Sequence, residues 1–278
     1  MTYGIGIEPM MKLYSLILCA ITMVVTTTAE AGCVNLCDYK WWKTATDSDF
    51  RMEINPYLHN IKIHEADGGI PLHYAVQYGT PRNVKALLEA GASVNRENFQ
   101  GDTALFMAAW GDTPTNLNLL IAAGSDVNHR NNENWTPLHY AARVGHPSVV
   151  KALLNAGAIV DSRSTDGTTP LLNSAFLFMF PQTLAALLEA GAAVNARDKG
   201  GMTALNLVIS RSRTHDEKSK ARTEEAILIL LRNGANALSQ NILGKAPWDY
   251  ANSGNLENLI PTAYDEMFLT LIGNGKKP

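Results

Sequence analysis

From Ile70 onward the apolar residues come in paired short segments separated by polar stretches. The first segment of each pair opens on a Pro-Leu or Ala-Leu step, at Pro71-Leu72, Ala104-Leu105, Pro137-Leu138, Pro170-Leu171 and Ala204-Leu205. Proline is tolerated in a first helical turn because its missing N–H would have had no helical partner, and a preceding threonine can cap that turn with its hydroxyl, so a helix starts at each step. The second segment closes on Leu-Leu, at Leu87-Leu88, Leu119-Leu120, Leu153-Leu154, Leu187-Leu188 and Leu230-Leu231, each on the apolar face of a second helix. A glycine follows every time, at Gly91, Gly124, Gly157, Gly191 and Gly234, and accepts the left-handed conformation that stops a helix. The pattern predicts helix–turn–helix units joined by projecting polar loops.

The units are copies. Glu89-Ala90-Gly91-Ala92-Ser93-Val94-Asn95 recurs as Ala122-Ala123-Gly124-Ser125-Asp126-Val127-Asn128, Asn155-Ala156-Gly157-Ala158-Ile159-Val160-Asp161 and Glu189-Ala190-Gly191-Ala192-Ala193-Val194-Asn195, with glycines 33, 33 and 34 residues apart and a fifth copy 43 residues later. Ile70-Pro71-Leu72-His73-Tyr74-Ala75, Thr103-Ala104-Leu105-Phe106-Met107-Ala108, Thr136-Pro137-Leu138-His139-Tyr140-Ala141 and Thr169-Pro170-Leu171-Leu172-Asn173-Ser174 keep the same period in another phase. These residues resemble the ankyrin repeat, marked by a Thr-Pro-Leu-His-x-Ala helix start and a Gly-Ala-x-Val-Asn exit. The resemblance covers roughly Glu65 to Ala251 and implies an all-α solenoid of repeats of about 33 residues with terminal capping helices. One such unit cannot bury its own apolar face, so stability must come from neighbour-to-neighbour interfaces. Five repeats are expected at 65–97, 98–130, 131–163, 164–197 and 198–237, the last with an insertion at 210–222, between an N-terminal cap at 32–64 and a C-terminal cap at 248–278.

The residues ahead of the repeats change the picture of location. Lys12 precedes the apolar run Leu13 to Val25, followed by Ala29-Glu30-Ala31, a small-x-small cleavage pattern, so 1–31 reads as a secretory signal peptide with translation starting at Met10 or Met11. A run of 13 residues is short of the roughly 20 that a spanning helix needs, which makes a retained anchor the weaker reading. Cys19 leaves with the leader, while Cys33 and Cys37 begin the mature chain. Two cysteines in an oxidising compartment suggest one disulfide, half of a metal site and free thiols being the alternatives. The start Cys-x-x-x-Cys-Asp-x-x-Trp-Trp resembles, more loosely, periplasmic ankyrin proteins of Gram-negative bacteria. A periplasmic or secreted location after cleavage near Ala31 is expected.

A hydrophobic fraction of 46%, a charged fraction of 18% and a formal charge of −3 describe a globular chain with no general field for nucleic acid or an anionic membrane. The basic stretch Arg211, Arg213, Lys218, Lys220 and Arg222 is interrupted by Asp216 and Glu217 and reads as a solvated loop, with an anionic partner as the alternative. No metal-protease, nucleophile-elbow or phosphate-loop motif occurs, so neither an enzyme nor a cofactor is expected. His73 and His139 occupy the ankyrin histidine position, and the resemblance implies a hydrogen bond between repeats rather than acid–base chemistry. Glu89 and Glu189 read as solvated outer-face residues.

The resemblance further implies binding of a protein or peptide through the loop tips and first helices, the concave face. The matching positions here are Gln77 and Tyr78; Phe99, Gln100, Asp102 and Trp110; Asn132, Glu133, Trp135 and Arg143; and Thr165, Asp166 and Phe176. Tyr78, Phe99, Trp110, Trp135, Arg143 and Phe176 form the expected partner-binding set, because aromatic and arginine side chains anchor protein interfaces. In the fourth repeat Leu172, Phe178 and Phe180 displace the usual histidine and glycine, and the apolar run Phe176–Phe180 is a second candidate contact or self-association seam. Asn134 stands where the turn glycine is expected, a place asparagine can fill. A non-catalytic exported binding scaffold is the leading expectation; a host-directed effector and an enzyme with an unrecognised site are the competing ones.

Overall fold

A computed structural model describes residues 70–176, 180–211 and 217–253, together with Asp265 and Leu269. The leader, the cap with Cys33 and Cys37, Leu177 to Met179 within the apolar run, and the C-terminal cap beyond Ser253 apart from those two residues lie outside the described residues. The described residues are helical or irregular, with no strand among them. The chain forms two compact units, 1–98 and 99–278.

In the first unit, α1 (Ile70–Tyr78) packs on α2 (Pro81–Glu89), burying Leu72, Ala75 and Val76 with Val84 and Leu87. The Thr80 hydroxyl accepts from the Asn83 N–H at 3.3 Å, satisfying an orphan donor at the start of α2.

In the second unit the pairs are α3 (Ala104–Trp110) with α4 (Thr115–Ala122), α5 (Pro137–Val144) with α6 (Pro147–Asn155), α7 (Pro170–Ser174) with α8 (Pro181–Glu189), and α9 (Ala204–Ser210) with α10 (Glu217–Arg232), followed by α11 (Pro247–Ser253). First helices α3, α5, α7, α9 and α11 pack in chain order, and second helices α4, α6, α8 and α10 do the same behind them. The leucines that the period marks fill the space between: Leu105, Leu117, Leu120, Leu138, Leu153, Leu171, Leu184, Leu187 and Leu205 are fully buried. Truncating any one to alanine leaves a cavity costing about 2–5 kcal/mol.

Each second helix closes in one way. In α6 the Gly157 N–H donates to Leu154 O and the Ala158 N–H to Leu153 O, both at 3.0 Å, with Gly157 at φ +90°. This is the Schellman arrangement, in which a left-handed residue lets two orphan carbonyls find partners. Asn134, at φ +59°, fills in its hairpin turn the left-handed place that Gly101 and Gly167 hold in the neighbouring turns. First helices vary more at their starts. Thr169 and Thr203 accept from the N–H groups of Leu172 and Asn206, at 3.4 and 3.3 Å, but the buried Thr103 hydroxyl makes no cap bond and has no partner among the described residues.

Repeats are fastened to one another along three lines. At the hairpin tips, the N–H groups of Asn132, Thr165, Lys199 and Ile242 donate to the carbonyls of Gln100, Glu133, Asp166 and Gly200 at 2.9–3.1 Å. Beyond the second helices, Asn128 donates to Gly157 O at 3.0 Å while accepting from the Ile159 N–H at 2.8 Å, and Asn195 does the same with Gly234 and Asn236. Thus the asparagine of the Gly-Ala-x-Val-Asn exit clips the next exit. Third, Arg130, Arg163 and Arg197 donate to the carbonyls of Arg163, Arg197 and Gln240, so each guanidinium spans one joint.

The fifth repeat corrects the expectation of a solvated loop throughout 210–222. Residues 217–222 form the first turns of α10, which runs for 16 residues instead of the 8 or 9 of α4, α6 and α8. Glu, Lys, Ala and Arg lose little side-chain freedom in a helix, so once α10 is nucleated on its buried half this stretch extends it towards its N-terminus.

Candidate functional site

Tyr140 in α5 organises the exposed aromatic residues of the second unit. Its hydroxyl donates to Asp102 Oδ2 at 3.2 Å, and Asp102 Oδ1 accepts from Asn131 Nδ2 at 2.7 Å. Asn131 in turn accepts the N–H groups of Glu133 and Trp135 at 3.0 and 2.9 Å, shaping the hairpin that carries Trp135. Burial, then the nearby Asp102 carboxylate and its hydrogen bond, push the Tyr140 phenol well above its ordinary range, so it remains a neutral donor.

Three rings meet Tyr140 edge-on. Trp135 lies 5.3 Å away at 78°, Trp110 at 6.1 Å and 63°, and the buried Phe106 at 5.2 Å and 87°. Edge-to-face contacts are favourable because the ring quadrupole is positive at its rim and negative on its face. Trp110 is 41% exposed, Trp135 is half-buried, and neither indole N–H has a hydrogen-bond partner among the described residues. Arg143 places its guanidinium 5.4 Å from the Trp135 ring centre, within cation–π reach.

The other expected partner-binding residues are distributed as follows. Phe99 is exposed at a hairpin tip, with its carbonyl accepting from Asn132 Nδ2 at 2.9 Å. Phe176 is exposed two residues past the end of α7, and the Arg211 guanidinium sits 3.7 Å from its ring centre. Tyr78 stands in the first unit, stacked on Tyr74 one turn earlier at 6.2 Å. Asp102 is corrected: it is buried, its carboxylate spent on Tyr140 and Asn131, and unavailable as a contact. In the apolar run, the Phe180 ring packs over Gly145, where a Cβ would stand 1.8 Å from it. Both described ends of Phe176–Phe180 are therefore engaged within the chain.

Trp110, Arg143 and Phe176 share one register. Each lies seven residues after the threonine that precedes its first helix, Thr103, Thr136 or Thr169, at the C-terminal end of that helix or just past it. Sequence reasoning overlooked Tyr140 and the covering role of Arg211. The signal for Tyr140 was its recurrence in phase as Tyr74 and Tyr250.

His139 is fully buried beside Trp135, with ring centres 5.8 Å apart. Its Nε2 meets Thr168 O at 3.0 Å, and its Nδ1 accepts from the Thr136 N–H and hydroxyl at 3.0 and 2.9 Å. Desolvation lowers its pKa to about 4, so the ring is neutral at pH 7. Such a histidine splices two repeats. At the neighbouring hairpin, hydrogen bonds from Ser164 and Thr168 hold the Asp166 carboxyl below its usual range against the opposing effect of partial burial. Among the described residues no three His, Cys, Asp or Glu side chains gather as a metal site would need, and no helix is long and apolar enough to cross a membrane.

Comparison with known proteins agrees with this geometry. A 60-residue stretch is 43% identical to palmitoyltransferase ZDHHC13 of Homo sapiens and, equally, of Pongo abelii; it spans 21% of this chain and 9% of those relatives. The chain thus aligns with only a small part of the curated relatives it matches, and the likeness carries none of their activity. The family model for ankyrin repeats in three copies matches residues 50–131 and 111–198, together more than half of the 278-residue chain. With its 33-residue period, paired helices and hairpin ladder, the chain belongs to the ankyrin-repeat family, whose repeats are protein-interaction scaffolds and typically non-catalytic.

Proposed function

We propose that this protein is an exported adaptor that captures a protein or peptide on the face formed by α3, α5, α7 and their hairpins, without catalysing a reaction. One observation carries this reading: Trp110 and Trp135 stand edge-on to a fixed Tyr140, with neither indole N–H partnered among the described residues. Rings held by Tyr140, which is itself tied to Asp102, lose little freedom on binding. They offer large apolar area plus a polar tip, which is the profile of an interface anchor.

Export is supported by the Lys12, Leu13–Val25 and Ala29-Glu30-Ala31 pattern. Cell fractionation and N-terminal sequencing test it: a mature chain beginning near Gly32 outside the cytoplasm is expected, and an uncleaved cytoplasmic chain rejects export. For binding, affinity capture with the wild-type chain is compared with the Trp110→Ala, Trp135→Ala double variant. The variant should lose the captured protein while keeping its helical circular-dichroism signal; undiminished capture would remove the aromatic cluster from the interface.

A further inference from the structure

The register that carries Trp110 also carries charge. Arg143 lies over Trp135 and Arg211 over Phe176, and neither guanidinium has a carboxylate partner among the described residues. Exposed arginines usually find acids on their own surface. Here the half-buried Arg143 and the exposed Arg211 instead lie within cation–π reach of aromatic rings, and no carboxylate among the described residues takes their N–H donors. Arg143 belongs to α5 and Arg211 follows α9, with α7 and Phe176 between them. Helices pack about 8–10 Å apart, which separates α5 from Phe176 at the end of α7, and the Arg211 guanidinium lies 3.7 Å from the Phe176 ring, so the two cations are separated by roughly 10–14 Å. An extended chain advances about 3.3 Å per residue and covers that span in about three or four residues.

We propose that this face binds an extended acidic peptide segment, with two carboxylates about four residues apart pairing with Arg143 and Arg211 and apolar residues between them lying against Phe176 and Trp135. The proposal rests on the reading that the aromatic face is the interaction surface, and it adds the chemistry of the occupant. Contact with a ring restrains each guanidinium, so bidentate pairing with a carboxylate loses less freedom than a loose arginine would. The hairpin tips explain why a few discrete carboxylates suit the face better than a continuous polyanion. Glu133 and Asp166 are exposed along one edge, and a nucleic acid, with a phosphate at every step, would bring charge against both.

The test is fluorescence anisotropy on the full chain. The probes are a labelled peptide with two glutamates four positions apart separated by prolines and leucines, the same peptide with glutamines, and an oligothymidylate of similar length. The glutamate peptide should bind several-fold more tightly than the glutamine peptide, since an exposed ion pair changes affinity by about two- to fivefold. Arg143→Gln or Arg211→Gln should each weaken the glutamate peptide by that factor and leave the glutamine peptide unchanged. Absence of peptide binding, equal binding of both peptides, arginine variants without effect, or tighter binding of the oligonucleotide would each overturn the proposal. If both peptides bind equally and Trp110→Ala weakens both, the aromatic face still stands as the interaction surface and only the acidic occupant is lost. If Trp110→Ala weakens neither, the face itself is wrong.

Discussion

His139 Nε2 donates to the Thr168 carbonyl oxygen at 3.0 Å, so the start of one repeat is bonded to the hairpin of the next through a side chain with no exposed surface. The other ring nitrogen already accepts from Thr136, and a second proton there would remove that acceptor and bury a charge.

Stability should therefore fall on acidification. The folded-state pKa of His139 lies at about 4, below the ordinary 6.5, so between those values the unfolded chain binds the proton more readily than the folded one. The stabilisation is complete above about pH 6.5, declines as pH falls towards 4, and amounts to about 3 kcal/mol over that window. Urea unfolding followed by circular dichroism at pH 7, 5.5 and 4.5 checks this. His139→Leu, which copies the natural Leu172, should be less stable at pH 7 but lose less on acidification.

Much of this was legible beforehand because it repeats. The 33-residue period announced the helix pairs and the closing glycines, which occur several times in phase, and the histidine at position 139, whose one counterpart in phase is His73. What was not legible depends on contacts between unlike neighbours. Asp102 occupies the position that Trp135 holds one repeat later, and nothing in its own surroundings along the chain says that Tyr140 reaches back to it. Arg211 lies at the edge of a basic stretch and reads as solvated until Phe176 is seen beneath it. The arginine line at 130, 163 and 197 did recur in phase, but exposed arginines are common enough that the repetition passed for surface composition.

Two glycines with left-handed backbone should respond differently to alanine. Gly157→Ala meets no atom within 4 Å, so only the backbone penalty at φ +90° applies, about 1 kcal/mol. Gly145→Ala adds a collision with Phe180 to the same penalty and should cost at least about 2 kcal/mol. Thermal unfolding of both variants under one buffer condition measures the difference.

The exit asparagines should be worth more than their exposed location suggests. Asn128→Ala removes a donor to Gly157 and an acceptor for Ile159 and is expected to cost about 1–2 kcal/mol. Asn128→Asp should cost less, since Asp161 at the equivalent place accepts from the Ala193 N–H at 3.1 Å. Urea midpoints for the two variants give the ordering.

Thr183 lies inside α8 with its hydroxyl buried and without a hydrogen-bond partner among the described residues. Thr183→Val keeps the branched shape, removes the uncompensated polar atom and should raise stability by about 1 kcal/mol, read as an increase in the urea midpoint.

The bond from Tyr140 to Asp102 has a consequence for how such a surface can arise. The aromatic patch belongs to a joint, with Trp110, Phe106 and Asp102 on one side and Tyr140, Trp135 and Asn131 on the other. Repeat proteins diversify by duplicating or exchanging single units, and either event at this joint would separate the tyrosine from its carboxylate. The smallest piece that could be inherited or transplanted with its recognition intact is the pair of adjoining repeats, 98–163.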